Sequence, residues 1–233
     1  MNNSANSQSQ PVSQKSYGLA IHTSSPTLGF AIASVHDRQS MRCQSWDLGR
    51  EVSSLLHQYL ADFIAPQTWS DLAFIAVAKG PGGFTGTRLG VVAARTLAQQ
   101  LNIPLFGISS LAAIAWANGI PTEPIAVQMP AQRGELHTGI FQWSSEQPEE
   151  TLDKNFTKAL KLTVVQTESV CQPEVWEKTL RASPGNYCVI EAPTAQGQYA
   201  SAVLELAQQM WSQGLRPHWS ETLPIYGQHP VDR

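Results

Sequence analysis

The sequence predicts an α/β fold with a mixed sheet, and three features of its patterning carry that prediction. Short apolar runs bounded by turn residues, such as Tyr17–His22 and Leu72–Ala78, read as strands buried on both faces. Longer stretches with helical spacing alternate with them. Finally, residues 72–108 run strand, glycine-rich turn, helix, strand, a βαβ unit whose two strands are parallel neighbours.

Tyr17–His22 is the first strand. Thr23-Ser-Ser-Pro26 makes a turn, and Leu28–Ala33 returns as a second strand. His36-Asp-Arg38 turns again before a third strand between Met41 and Leu48, so the three form an antiparallel meander. Gly49-Arg50-Glu51 leads into a helix ending at Ile64, with Val52, Leu55, Leu56, Tyr59, Leu60 and Phe63 as an amphipathic stripe. The strand Leu72–Ala78 follows, then the helix up to Leu101, stopped by Asn102 and Pro104. A strand over 103–108 and a helix from Ser109 to Asn118, capped by Ser109 or Ser110, complete the first half. Beyond Pro121 and Pro124 come strands at 125–129 and 135–143 around an Arg133-Gly134 turn. A loose polar loop spans about 144–160, and Leu162–Val165 is placed to pair with the sheet. A helix near 173–180, a strand at 187–191, a helix at 199–213 and an extended Leu223–Tyr226 finish the chain. The expected domains are a disordered tail over 1–16, rich in Asn, Ser and Gln, one half over 17–120 and a smaller half over 121–233.

The glycine-rich turn is the densest signal. Gly80, Gly82, Gly83 and Gly86 permit a sharp turn and a close backbone approach, while Thr85 or Thr87 is placed to cap the helix behind them. A helix N-terminus favours an anion, yet neither phosphate fingerprint is present: Lys79 precedes the glycines instead of following them. The turn is therefore a tight strand-to-helix connection, a nucleotide cradle or an anion site completed by a partner. Lys79, Gly80, Gly82, Gly83, Thr85 and Gly86 are its candidate contacts.

Lys79-Gly-Pro-Gly-Gly-Phe-Thr-Gly-Thr-Arg-Leu-Gly90 followed by Pro104-Leu-Phe-Gly-Ile-Ser-Ser-Leu111 resembles the signature of the TsaB family, also called YeaZ. The resemblance is specific over about residues 17–115, weaker over 124–143 and faint beyond. It implies the actin/Hsp70-like (ASKHA) fold: two RNase H-like halves with mixed sheets, strand order 3-2-1-4-5 in the first, the second smaller and degenerate. It also implies a cytoplasmic subunit of the machinery that makes threonylcarbamoyladenosine in tRNA. Such a subunit pairs with TsaD, joins TsaE, and forms a homodimer when TsaD is absent.

Composition limits the chemistry. A formal charge of -3 with 15 scattered Lys and Arg provides no basic stripe, so tRNA is expected only through the complex. Cys43, Cys171 and Cys188 form no disulfide framework, which suits a reducing compartment. No apolar run reaches membrane-spanning length, and the N-terminal tail lacks the apolar core of a secretory signal. Phosphotransferases of the implied superfamily place an Asp at the end of the first strand, where this chain has His22; Pro130 and Gln132 stand where the family reads D-A-R. Imidazole is a poor Mg²⁺ ligand. The six histidines include no pair at i, i+4, and His57 and His137 read as surface side chains. Ser24, Ser25, Ser109 and Cys188 lack a nucleophile motif. The expectation is no catalytic residue, no metal site and no cofactor on this chain, with ATP or ADP and metal on partner subunits.

What remains is surface. The first helix carries more apolar residues than one buried face requires, and the second is rich in small residues. In the resemblance these helices dimerise, which makes Val52, Leu55, Leu56, Tyr59, Leu60, Phe63, Arg88 and Val92 the candidate partner interface. The competing expectation is an autonomous enzyme, either an ASKHA phosphotransferase or an M22-like peptidase.

Overall fold

The structure is a computed structural model that describes residues 16–37, 40–118, 123–145, 160–182 and 186–225. Within them lie two mixed sheets. The first comprises β1 (Tyr17–His22), β2 (Thr27–Ser34), β3 (Arg42–Asp47), β4 (Leu72–Ala78) and β5 (Leu105–Ile108), in the order β3-β2-β1-β4-β5. Its helices are α1 (Val52–Ile64), α2 (Phe84–Leu101) and α3 (Ser110–Asn118). The second sheet comprises β6 (Ile125–Pro130), β7 (Leu136–Ser145), β8 (Leu160–Cys171) and β9 (Cys188–Glu191), in the order β8-β7-β6-β9, with α4 (Pro173–Ala182) and α5 (Ala200–Ser212).

Each sheet opens with an antiparallel meander and then adds a parallel strand beside its first: β4 beside β1, and β9 beside β6. The second sheet thus repeats the first without a counterpart of β5 among the described residues. This is the ASKHA arrangement, with a degenerate second half.

All seven residues of β4 are buried, because both faces of the first sheet are covered. Leu19, Ile21, Ile75 and Val77 pack towards α1 and α2. Ala20, Phe74, Ala76 and Ala78 face the opposite way, into a core shared with Phe141 of β7 and Val203 of α5. A register shift between β1 and β4, where Tyr17 pairs with Leu72 but Gly18 pairs with Phe74, puts both large side chains inward on opposite faces. The Phe74 ring then lies edge-on to Phe106, with centroids 5.2 Å apart. In sequence α5 follows the second sheet, yet it packs against β1, β2, β4 and β5, so one core binds the halves together.

Two further contacts tie them. The Gln196 amide donates to Ser25 Oγ (3.1 Å) and the Gly197 amide to Thr27 Oγ1 (2.7 Å). The C-terminal segment runs beside the outer edge of β5: Leu105 N donates to Pro217 O (3.3 Å), and Ile225 N donates to Lys79 O (2.7 Å).

Several elements differ from expectation. β8 spans twelve residues where the apolar pattern predicts only Leu162–Val165; it is an edge strand, and its later half (Gln166, Thr167, Glu168, Ser169) is polar. β7 extends to Ser145, into the stretch read as loop, while residues 146–159 lie outside the described residues, as do 1–15 of the expected tail and Tyr226. Asn102 ends α2 in the left-handed conformation (φ 50°), as its position after the helix predicts. Among the described residues no helix is long and apolar enough to cross a membrane.

Candidate functional site

A cleft of about 870 Å³ separates the halves. One wall is the β1–β2 turn, Thr23–Pro26, with Arg50, Leu89 and the glycine loop from Gly82 to Gly86; the other is Met129, Pro130, Glu191–Thr194 and Gln196. It therefore opens at the carboxyl ends of β1, β4, β6 and β9, where ligands of open α/β sheets bind.

The glycine loop is shaped by its fit to the β1–β2 turn. A Cβ on Gly86 would collide with the Thr23 carbonyl oxygen, and one on Gly82 with that of Ser24. Hydrogen bonds close the seam. Gly83 N donates to Ser24 O (2.6 Å), Thr23 Oγ1 donates to Gly86 O (2.7 Å), and Ser24 Oγ reaches Ala78 O (3.3 Å). The capping expectation is corrected here. Gly83 is the N-cap of α2, neither threonine caps it, Thr85 is exposed, and Thr87 sits buried in the first turn. Glycine at the N-cap brings no side-chain oxygen to the first helical amides, and its own amide is held by Ser24 O.

The structure brings Gly82, Gly83, Thr85 and Gly86 to the cleft, but it does not bring Lys79 or Gly80 there. Lys79 emerges from β4 on the α3 and α5 side and lines a different cavity. Among the described residues the charged side chains at the cleft are Arg50 and Glu191. Pro130 stands on its rim, exposed, and Gln132 is exposed in a short 3₁₀ turn that follows. His22 ends β1, fully buried, with neither ring nitrogen hydrogen-bonded; burial lowers its pKa to about 4, so the ring is neutral near pH 7. Among the described residues, no three His, Cys, Asp or Glu side chains group so as to hold a metal ion.

The candidate interface divides by burial. Val52, Leu56, Leu60 and Phe63 are buried in the chain's own core beneath α1, Val52 also lining the cleft, so the outer face of α1 presents little of them to a partner. Leu55 and Tyr59 are half-buried, Arg88 is exposed, and Val92 is 59% exposed. Phe84, 40% exposed with Arg88 above its ring at 5.3 Å, joins this surface, and sequence reasoning had not assigned it there. Its signal was an aromatic residue inside the glycine turn.

His57 is exposed, as its helix position predicts. His137 departs from the surface reading: it is half-buried and lines a cavity of about 200 Å³ with Pro81 and Glu168, and burial lowers its pKa while Glu135 opposes the shift. Ser109 is the residue that caps α3, accepting from the amides of Leu111 (3.1 Å) and Ala112 (3.2 Å). The Lys79, Ser109 and Glu168 grouping was not visible in the sequence, because Glu168 lies beyond the strand that apolarity revealed.

A family model described as TsaD: tRNA N6-adenosine threonylcarbamoyltransferase matches residues 51–199. The chain is similar to "tRNA threonylcarbamoyladenosine biosynthesis protein TsaB" of Bacillus subtilis (strain 168), at 39% identity over 131 residues, covering 54% of this chain and 56% of that protein. A protein of the same name from Buchnera aphidicola subsp. Schizaphis graminum is 30% identical over 123 residues, covering 49% of this chain and 58% of that one. The chain thus spans little more than half the length of these relatives. Its fold is shared with a solved structure from Pseudomonas aeruginosa, described as an uncharacterized protein with similarity to peptidase YEAZ. The TM-score is 0.69 at 22% identity, over 91% of this chain and 100% of that one. The match across most of the chain, the shared fold and the named relatives together place it: the chain belongs to the family described as TsaD: tRNA N6-adenosine threonylcarbamoyltransferase, in its TsaB (YeaZ) branch.

Proposed function

We propose that the chain is a non-catalytic subunit of the machinery that makes tRNA threonylcarbamoyladenosine, pairing with TsaD and holding that partner in its active arrangement. The relatives' names supply the pathway. The observation that carries the non-catalytic role is the cleft itself. Among the described residues its walls offer one carboxylate, Glu191, and the positions where the resemblance implies magnesium-orienting Asp residues hold a buried His22 and Pro130. In this reading the metal and the nucleotide belong to partner subunits, TsaE joins the pair, tRNA is met only through the complex, and the protein works in the cytoplasm. The docking surface is the exposed part of α1 and α2, centred on Val92, Arg88 and Phe84.

Co-elution with TsaD in size-exclusion chromatography tests the pairing, and reconstitution of adenosine modification with and without this chain tests the role. Separate peaks at about 10 μM of each protein would overturn the pairing. The size of the cleft favours one competing reading, an autonomous enzyme, which predicts ATP–Mg²⁺ or Zn²⁺ binding in calorimetry by the isolated chain.

A further inference from the structure

α2 contains no Asp or Glu, and its charged residues are Arg88 and Arg95. At about 100° per residue, Phe84, Arg88, Val92, Arg95 and Gln99 fall within about 80° of arc, so they form one stripe along the helix. Arg88 and Arg95 are seven residues apart, about 10 Å along the axis, with the exposed Val92 between them.

Each guanidinium lies over an aromatic ring: Arg88 over Phe84 at 5.3 Å, and Arg95 over Trp219 at 5.8 Å. The second ring comes from the far end of the chain. Trp219 opens a short 3₁₀ turn, Trp219–Glu221, and is half-buried against the core beneath α2. The segment is fixed to β5 on both sides of it, since Leu105 N donates to Pro217 O (3.3 Å) and Thr222 Oγ1 donates to Leu105 O (3.2 Å). Among the described residues neither arginine makes an ion pair, although Glu221 follows Trp219 by two residues. In a chain of formal charge -3, this stripe therefore presents two cations without a counter-charge, each laid along a ring that limits its freedom.

We propose that the partner face covering α2 is acidic: an apolar socket receives Val92 between two carboxylates about 10 Å apart, one meeting Arg88 and the other Arg95, with Trp219 as the aromatic anchor beside Arg95. This rests on the TsaD pairing proposed above and gives that partner's surface a chemistry. The same charges discriminate against a second copy of this chain. Two copies meeting α2 against α2, antiparallel about Val92, would set Arg88 opposite Arg95 of the other copy at both ends of the contact, and like charges across an interface repel.

The test measures the affinity of the full chain for TsaD at about 50 mM and about 500 mM salt, for the parent protein, R88Q/R95Q and W219A. The expected result is about tenfold weaker pairing of R88Q/R95Q at low salt with most of the salt dependence gone, and about tenfold weaker pairing of W219A at both salts. Thermal unfolding reports whether each variant keeps its fold; if W219A does not, R88Q/R95Q decides, because its changes lie on the surface. Unchanged pairing in either folded variant, or an unchanged salt dependence in R88Q/R95Q, overturns the inference and leaves the pairing standing. No association of the parent protein with TsaD overturns the pairing and this inference with it. Sedimentation of the chain alone covers the remaining occupant: a dimer as tight as the TsaD pair, in which Glu51 and Asp62 flanking α1 are the exposed carboxylates a second copy brings, overturns the acidic-partner assignment.

Discussion

Thr23 and Gly86 meet twice: Thr23 Oγ1 donates to Gly86 O at 2.7 Å, and the Thr23 carbonyl oxygen occupies the place a Cβ on Gly86 would need. This contact seats the first turn of α2 against the end of β1 and gives the cleft its floor. It also reverses an ordinary rule. In a helix, Gly→Ala is normally stabilising by up to about 1 kcal/mol.

Gly86→Ala should instead destabilise the protein by about 2 kcal/mol or more, because a backbone carbonyl cannot step aside as a side chain can. Gly90 one turn later meets the Thr23 side chain, Oγ1 first. Gly90→Ala should therefore be rescued in a Thr23→Ala background, whereas Gly86→Ala should not. Urea denaturation of the single and double variants measures both couplings, and rescue of Gly86→Ala would refute the backbone assignment.

His22 predicts a pH dependence with a definite sign. Its folded pKa of about 4 lies below the ordinary value of 6.5, so between those limits the unfolded chain binds the proton more readily. Stability is full above pH 6.5 and falls as the pH drops towards 4, by at most about 3 kcal/mol from this residue. His137, shifted in the same direction, adds to the slope. His22→Leu should flatten the curve over this window and leave the His137 contribution, since an apolar side chain there has no proton to bind. Denaturant midpoints at pH 7, 5.5 and 4.5 check it. An equally steep fall in the variant would exclude His22 as the cause.

The sequence displayed the local grammar of the fold and little of its tertiary consequence. The β4, glycine turn, α2 and β5 run was legible because strand, turn and helix signals abut without interruption from Leu72 to Ile108. β8 was half-legible, because an edge strand does not need an apolar face along its whole length. The apolar stripe of α1 was visible, but periodicity cannot separate residues that seal the core from residues that meet a partner; Leu56 and Leu55 differ only after the helix is rotated onto its sheet. Lys79 was grouped with the glycines by adjacency. The chain turns between Lys79 and Gly82, and that turn sends the lysine to the other face. The seam at Ser25, Thr27, Gln196 and Gly197 joins residues some 170 positions apart, and no local signal encodes it.

That seam is itself testable. Thr27 Oγ1 accepts from the Gly197 amide and shares a hydrogen bond with Ser25 Oγ at 2.8 Å. Thr27→Val keeps the shape but leaves the buried Gly197 N–H without an acceptor, a loss of about 1–3 kcal/mol. Hydrogen exchange should quicken first over residues 196–199, with β1 and β4 still protected. Uniform loss of protection across both sheets would mean that the seam is not a separate joint.

The docking surface and the core beneath it make opposite predictions for residues on adjoining helices. Leu56 is wholly buried under α1, so Leu56→Ala should remove about 2–5 kcal/mol of stability and weaken TsaD pairing only as far as the fold is lost. Val92 is 59% exposed on α2, so Val92→Asp should change stability by less than about 0.5 kcal/mol. On the proposed surface, however, a buried unpaired carboxylate should weaken pairing by about tenfold or more. Arg88, beside it, allows a charge test: Arg88→Glu should slow association more at low salt than at high. Thermal unfolding of each variant alongside its co-elution with TsaD separates the two classes. If Val92→Asp pairs as tightly as the parent protein, the partner does not sit on this face.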